Sequence, residues 1–133
     1  MKKILLVLMM ICTLSIYSQG LERDKEWESV FTYYDLDVQA WKVGDNLIVS
    51  DSSSLDLYDI QDTLSTILFS IVDESEFQGV GIDELLGSVE SIKYTVSGIE
   101  WSLEIDREMI IRYLNTKDKD RKIMIKDLVD KNI

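Results

Sequence analysis

Residues 91–105 have the sequence SIKYTVSGIEWSLEI, and this stretch decides the fold class. Apolar side chains alternate with polar ones before and after Ser97-Gly98, as in two antiparallel strands that bury one face. If Ser97-Gly98 is a two-residue turn, Tyr94 lies opposite Trp101 and the apolar residues of both strands share a face. We therefore expect a β-hairpin over 91–105. Its other facing pairs would be Ile92 with Leu103 and Val96 with Ile99.

The segments before this hairpin predict a second hairpin and a helix. Residues 29–34 are rich in the β-branched and aromatic residues that favour strands. The turn signal at 44–46 lies between two further extended runs and indicates a hairpin. Residues 55–72 carry apolar side chains at helical spacing and follow a group of candidate N-caps at 51–54. A loop over 73–81 and a helical turn over 82–86 complete this part of the chain.

The C-terminal part of the chain predicts a third hairpin, because two apolar segments flank the polar residues 115–120. The apolar residues between Met109 and Leu114 also fit one face of a helix, so a helical 108–131 is the alternative. The complete prediction is an α+β domain. It has a small antiparallel sheet built from hairpins at about 29–49, 91–105 and 108–127, packed by one main amphipathic helix at about 55–72.

The first twenty residues have the layout of a secretory signal peptide. Lys2 and Lys3 precede an apolar run of 14 residues, which is shorter than the roughly 20 needed to span a bilayer. An uncleaved membrane anchor and a lipidated Cys12 are the alternatives. We expect export to the periplasm or the extracellular space. The expected divisions are a signal peptide at 1–18 with cleavage after Ser18 or Gly20, a flexible mature N-terminus at 19–25 and a single globular domain at 26–133.

The composition excludes several classes of site. The 133 residues include no His, one Cys and 25 acids against 14 bases, for a net charge of −11. Nucleophilic sites that depend on His and zinc sites built from His and Cys are therefore ruled out, and so acidic a surface repels nucleic acid. Loss of the signal peptide leaves a mature chain without cysteine and with a net charge of −13. We expect no cofactor and no transmembrane span in the mature protein.

Two acid-based functions stay as alternatives. A small carboxylate-dependent hydrolase needs two carboxylates at a defined separation, but among 25 acids some pair is inevitable. A calcium site needs oxygen ligands, and the best loop match, 116–127, begins with Thr116 and has Arg121 where the turn needs glycine. We interpret that stretch as a surface turn, and we expect neither catalytic residues nor metal ligands.

The acids are unevenly distributed along the chain. Residues 43–92 contain eleven acids and neither Lys nor Arg, whereas 106–131 contain eight bases and six acids. We expect the helix at 55–72 and its flanking loops to form an acidic face with aromatic anchors nearby. The candidate partner-binding residues are Asp45, Asp51, Asp56, Tyr58, Asp59, Asp62, Asp73, Glu74 and Glu76.

These observations lead to a functional hypothesis. We expect an exported, non-enzymatic interaction protein that presents its acidic face to a basic protein partner, for example a periplasmic inhibitor or immunity-type protein. Opposite charges on two such surfaces speed association and select the partner. The general alternative is that the acids only keep an exported domain in solution. A small envelope domain that binds a ligand or calcium is a further class, and the sequence leaves the oligomeric state open.

Overall fold

A five-stranded sheet organises residues 22–132, which are the residues that this computed structural model describes. Neighbouring strands pair antiparallel except for the third and fourth, which are parallel. Five helices within these residues complete a small α+β fold, which confirms the predicted class, but the sheet is mixed and not antiparallel throughout as predicted. The strands, in both chain and sheet order, are β1 (Glu22–Arg23), β2 (Val38–Val43), β3 (Asn46–Asp51), β4 (Ser91–Val96) and β5 (Trp101–Asp106). The helices are α1 (Lys25–Tyr33), α2 (Leu57–Gln78), α3 (Ile82–Leu86), α4 (Arg107–Leu114) and α5 (Asp118–Lys131).

The parallel pair of β3 and β4 requires a crossover connection, and α2 followed by α3 supplies it. The helix α2 begins after Asp56, whose side chain accepts the backbone N–H of Asp59. It ends at Gly79, where a φ of 71° gives the left-handed conformation that glycine adopts without steric cost. The loop predicted for 73–81 is wrong over its first six residues, because no residue before Gly79 favours leaving the helix. The helical turn predicted over 82–86 is confirmed.

The core lies on one face of the sheet. Alternate residues of the central strands, among them Leu47, Val49 and Ile92, are fully buried and share this face with buried residues of the helices. The alternate residues on the opposite side are mostly polar, and we call that side the open face. Its members include Gln39, Asn46, Ile48, Ser50, Lys93, Thr95, Ser102 and Glu104. The fold therefore has two layers, with helices against one side of the sheet.

The hairpin predicted at 91–105 forms, but its register differs by two residues. Val96 pairs with Trp101, and Tyr94 pairs with Leu103, because the connection has four residues. The loop lies against the segment after β3: a side chain on Gly98 would come within 3.2 Å of the carbonyl oxygen of Ser54. A shift of two keeps every side chain on its face. Ile99 is the exception, since it belongs to the loop and is 38% exposed.

The strand predicted at 29–34 is wrong, because residues 29–33 belong to the helix α1 and Tyr34 follows its last residue. The carboxylate of Asp24 accepts the backbone N–H of Trp27 and caps the helix. Trp27 and Phe31 are one turn apart, and both are buried with their rings 5.6 Å apart. This helical spacing of aromatic residues outweighs their preference for strands. The rest of that hairpin is confirmed, since β2 and β3 pair around a turn in which Gly44 has a φ of 61°.

The hairpin predicted at 108–127 is also wrong, and the helical alternative holds. Asp106 caps α4 by accepting the N–H of Met109, and Arg121 of α5 joins the two helices. Its guanidinium donates to the carbonyls of Tyr113 and Leu114 and lies 4.4 Å from the centre of the Tyr113 ring. These bonds satisfy carbonyls that the end of a helix leaves open. The stretch interpreted as a surface turn therefore contains the start of α5.

Most of the residues in the N-terminal predictions precede residue 22, where the described part of the chain begins. The predicted signal peptide, both cleavage sites and Cys12 lie outside the described residues. Within the segment predicted as a flexible N-terminus, Glu22–Arg23 forms β1, and Lys25 begins α1. Between residues 22 and 132, no helix is long and apolar enough to cross a membrane.

The register of the β4–β5 hairpin gives the first prediction. Trp101 is 6% exposed, and its ring packs edge-on against Tyr94 at 5.7 Å. Trp101→Ala should lower the free energy of unfolding by about 3–5 kcal/mol. Ile99→Ala, the matched change in the loop, should cost less than about 1 kcal/mol, because Ile99 already contacts water. Urea denaturation measures both, and equal losses would contradict this register.

Candidate functional site

The nine predicted partner-binding residues lie in three separate parts of the structure. Asp45 is exposed in the β2–β3 turn, at the end of β3 that lies away from the start of α2. Asp51 is fully buried. The remaining seven follow α2 from its first turn to its last. They are Asp56, Tyr58, Asp59 and Asp62 in the N-terminal part and Asp73, Glu74 and Glu76 in the C-terminal part.

Asp51 serves the interior of the protein. Its carboxylate accepts hydrogen bonds from the backbone N–H and the hydroxyl of Ser53 and from the same two groups of Ser54. The hydroxyl of Tyr94 on β4 donates a fifth, with an oxygen–oxygen distance of 2.7 Å. The backbone carbonyl of Asp51 accepts the N–H of Ser97. Asp51 therefore joins β3, the segment leading to α2, and β4, and it is removed from the acidic face.

These bonds also determine the ionisation of Asp51. Burial alone would raise the pKa of its carboxyl group, because it disfavours the charged form. The hydrogen bonds donated by Ser54, Tyr94 and Ser53 outweigh burial, so the pKa lies below its ordinary value of 3.8. Asp51 is thus a carboxylate at neutral pH, held by hydrogen-bond donors in place of a cation.

The acids in the first turn of α2 cap the helix. Asp56 accepts the N–H of Asp59, and Asp59 accepts the N–H of Leu55, so each carboxylate satisfies a free donor. A polar depression adjoins them, lined by Ser53, Ser54, Asp59, Asp62 and Thr63. In the part of the chain from 22 to 132, no three acidic or metal-ligating side chains are placed to hold a metal ion.

Tyr58 and Asp62 face a different environment from the one the sequence suggested. They line a groove of about 310 Å³ between α2 and α5, and its other wall carries Lys122, Ile123 and Lys126. The base-rich end of the chain therefore lies directly beside the acidic helix. This neighbourhood offsets the acidity of the N-terminal half of α2.

The C-terminal half of α2 carries a surface that is both aromatic and acidic. The hydroxyl of Tyr34, at the end of α1, donates to the carboxylate of Asp73. The Tyr34 ring packs edge-on against Phe69 at 6.0 Å and against Tyr33 at 5.1 Å. Phe77 follows one turn beyond Asp73. We call these five residues, together with Glu74 and Glu76, the aromatic–acidic patch.

Much of the patch is open to water. Tyr33 is 80% exposed, Phe77 85% and Phe69 44%. Partial burial and the carboxylates of Asp73 and Glu74 raise the pKa of Tyr34 above its ordinary value. Tyr34 is therefore neutral at physiological pH and keeps its proton toward Asp73. Large aromatic side chains at this exposure are the anchors that protein interfaces favour.

The sequence indicated part of this patch. Asp73, Glu74 and Glu76 are among the predicted partner-binding residues, and Tyr33 and Tyr34 belong to the segment 29–34, whose aromatic residues favoured a strand. Phe69 and Phe77 were missed, although neither fits the buried stripe of α2. A large apolar residue away from the buried stripe of a helix is the signal that identifies them.

Comparison with known proteins adds no further assignment. Neither the protein-family models, nor the curated proteins, nor the solved structures match this chain.

The Asp51 network gives the second prediction. Asp51→Asn should lower the free energy of unfolding at pH 7 by about 1–3 kcal/mol, because an amide leaves buried donors without acceptors. Because folding lowers the pKa of Asp51, its ionisation stabilises the fold above the ordinary pKa and loses this effect as the pH falls.

The pH dependence tests the assignment. Between pH 7 and pH 3, the stability advantage of the wild type over Asp51→Asn should shrink, mainly below about pH 4. Chemical denaturation at each pH measures it. An advantage that grows on acidification would contradict an ionised Asp51.

Proposed function

We propose that this chain is an exported, non-enzymatic protein that binds a basic partner protein through the aromatic–acidic patch. One observation carries the proposal: exposed aromatic rings surround Asp73 on a helix within a 50-residue stretch that contains no Lys or Arg. Exposed apolar clusters with a polar rim are typical of interaction sites. The N-terminal sequence pattern supports export.

The chemistry of the patch suits Lys and Arg side chains. A cation that lies over the face of Phe or Tyr is attracted by the ring, and a carboxylate beside the ring adds a charge-assisted hydrogen bond. Phe69, Phe77 and Tyr33 offer rings, while Glu74 and Glu76 offer carboxylates. Because Asp73 already accepts from Tyr34, it contributes charge and also orients that ring.

The patch favours a particular kind of basic partner. A cationic toxin or hydrolase has a basic surface where it binds an anionic substrate, and an acidic protein can cover that surface. Inhibition of such a protein, or immunity to it, is the version of the function that the patch supports best. The lysines beside Tyr58 and Asp62 make the N-terminal half of α2 less suited to this role.

Capture from an envelope extract of the source organism gives the third prediction. At low salt, the immobilised mature domain should retain one cationic protein, and raising the salt to about 0.5 M should release it, because salt screens surface charges. The captured protein is then identified, and its affinity is measured by calorimetry.

Matched variants locate the binding surface. Phe77→Ser and Glu76→Gln should each weaken the affinity, by about tenfold for Phe77→Ser. The controls Ile123→Ser and Glu108→Gln make the same changes outside the patch, on α5 and α4, and should leave the affinity unchanged. Capture of no protein at low salt, or equal effects of patch and control variants, would contradict the proposal.

A further inference from the structure

The two edges of the sheet differ in how their backbone groups are satisfied. At the β2 edge, the carboxylate of Glu28 accepts the N–H of Ala40 at 2.8 Å, and the carbonyl of Ala40 accepts the N–H of Asp24 at 2.9 Å. Arg23 holds Glu28 in place with a 2.6 Å ion pair. The two-residue strand β1 covers the next residues of β2. This edge is therefore closed by the N-terminal part of the described chain.

The β5 edge has no comparable closure. Within residues 22–132, β5 pairs with β4 alone, and no carboxylate or backbone contact like those at Ala40 covers its outer side. The outward N–H and C=O groups of an edge strand are a template for one more strand. Six residues provide enough length for backbone pairing with an extended peptide.

The side chains beside this edge define what can pair with it. On the open face, a cross-strand row runs from Ile48 through Lys93 to Glu104. An added strand would place a side chain next to Glu104, where a basic residue is favoured and an acidic one is disfavoured. On the helix side, Leu103 is almost fully buried, so an apolar neighbour is favoured there.

We propose that the outer edge of β5 binds an extended segment of a partner protein by strand addition. The segment carries Lys or Arg beside Glu104 and apolar residues at the flanking positions. Backbone hydrogen bonds to β5 supply the pairing, and the alternation of basic and apolar side chains supplies the selectivity.

Charge argues against a second copy of this chain as the occupant. Glu104 and Asp106 lie on the same face of β5, so any pairing of two β5 strands that sets Glu104 opposite Glu104 or Asp106 of the second copy brings like charges together. Each chain also has a net charge of −11. Charge thus opposes self-association in these registers and favours a cationic segment.

The β5 edge is a different surface from the aromatic–acidic patch, and strand addition there does not rest on the proposed function. A partner that uses only the patch leaves the β5 edge unchanged, and a peptide that uses only the edge is indifferent to Phe77. The two proposals can therefore fail separately.

The probe is an acetylated heptapeptide of alternating valine and lysine, added to the mature domain labelled with ¹⁵N. Binding should shift the amide signals of β5 and slow their hydrogen exchange. The same peptide with its three central amides N-methylated keeps its charge but cannot pair, and it should bind at least about tenfold more weakly. A peptide of alternating valine and glutamate should lose affinity by a similar factor.

Variants place the peptide on the edge. Glu104→Gln should weaken binding of the lysine peptide about threefold or more, while Glu84→Gln, the same change on an exposed residue of α3 away from the edge and the patch, should leave it unchanged. Three outcomes would overturn the proposal. They are equal binding of the N-methylated peptide, amide shifts confined to α2, and a β5-paired dimer of the chain that excludes the peptide.

Discussion

The buried carboxylate of Asp51 is the interaction on which the rest of the structure depends. A charged group loses its hydration on burial, and it is tolerated only where hydrogen bonds replace the water. Here, five donors from two serines and Tyr94 surround it. Because these donors come from the segment that enters α2 and from β4, one side chain joins the parallel strands to the crossover helix between them.

The acids in and around α2 are of two kinds. Asp51, Asp56 and Asp59 satisfy backbone and side-chain donors, so they belong to the fold. Glu74 and Glu76 lie on the solvent side of α2, on a stretch without any base, and give the aromatic–acidic patch its charge. The uneven distribution of acids in the sequence therefore has two explanations. The acids at the N-terminal end of α2 support the fold, and those at its C-terminal end belong to an exposed surface.

Residue patterns predicted the elements with strict periodicity and missed those that depend on contacts between distant segments. The alternation around Tyr94 and Trp101 predicted the hairpin and its buried face, but it did not show that the connection has four residues or that Gly98 lies close to Ser54 of a distant segment. The residue types of the segment 29–34 predicted a strand. The spacing of Trp27 and Phe31 is that of a helix, and the structure follows this spacing. Charge counting found the acidic helix, but it could not show that Lys122 packs beside it.

The most direct test of this account is a double-mutant cycle between Asp51 and Tyr94. Urea denaturation at pH 7 would give the free energies of unfolding of the wild type, Asp51→Asn, Tyr94→Phe and the double variant. If the buried carboxylate joins β3 to β4, the two changes should be non-additive, with a coupling energy of about 1–2 kcal/mol. Losses that add to within about 0.3 kcal/mol would show that the two side chains act independently and would contradict the account.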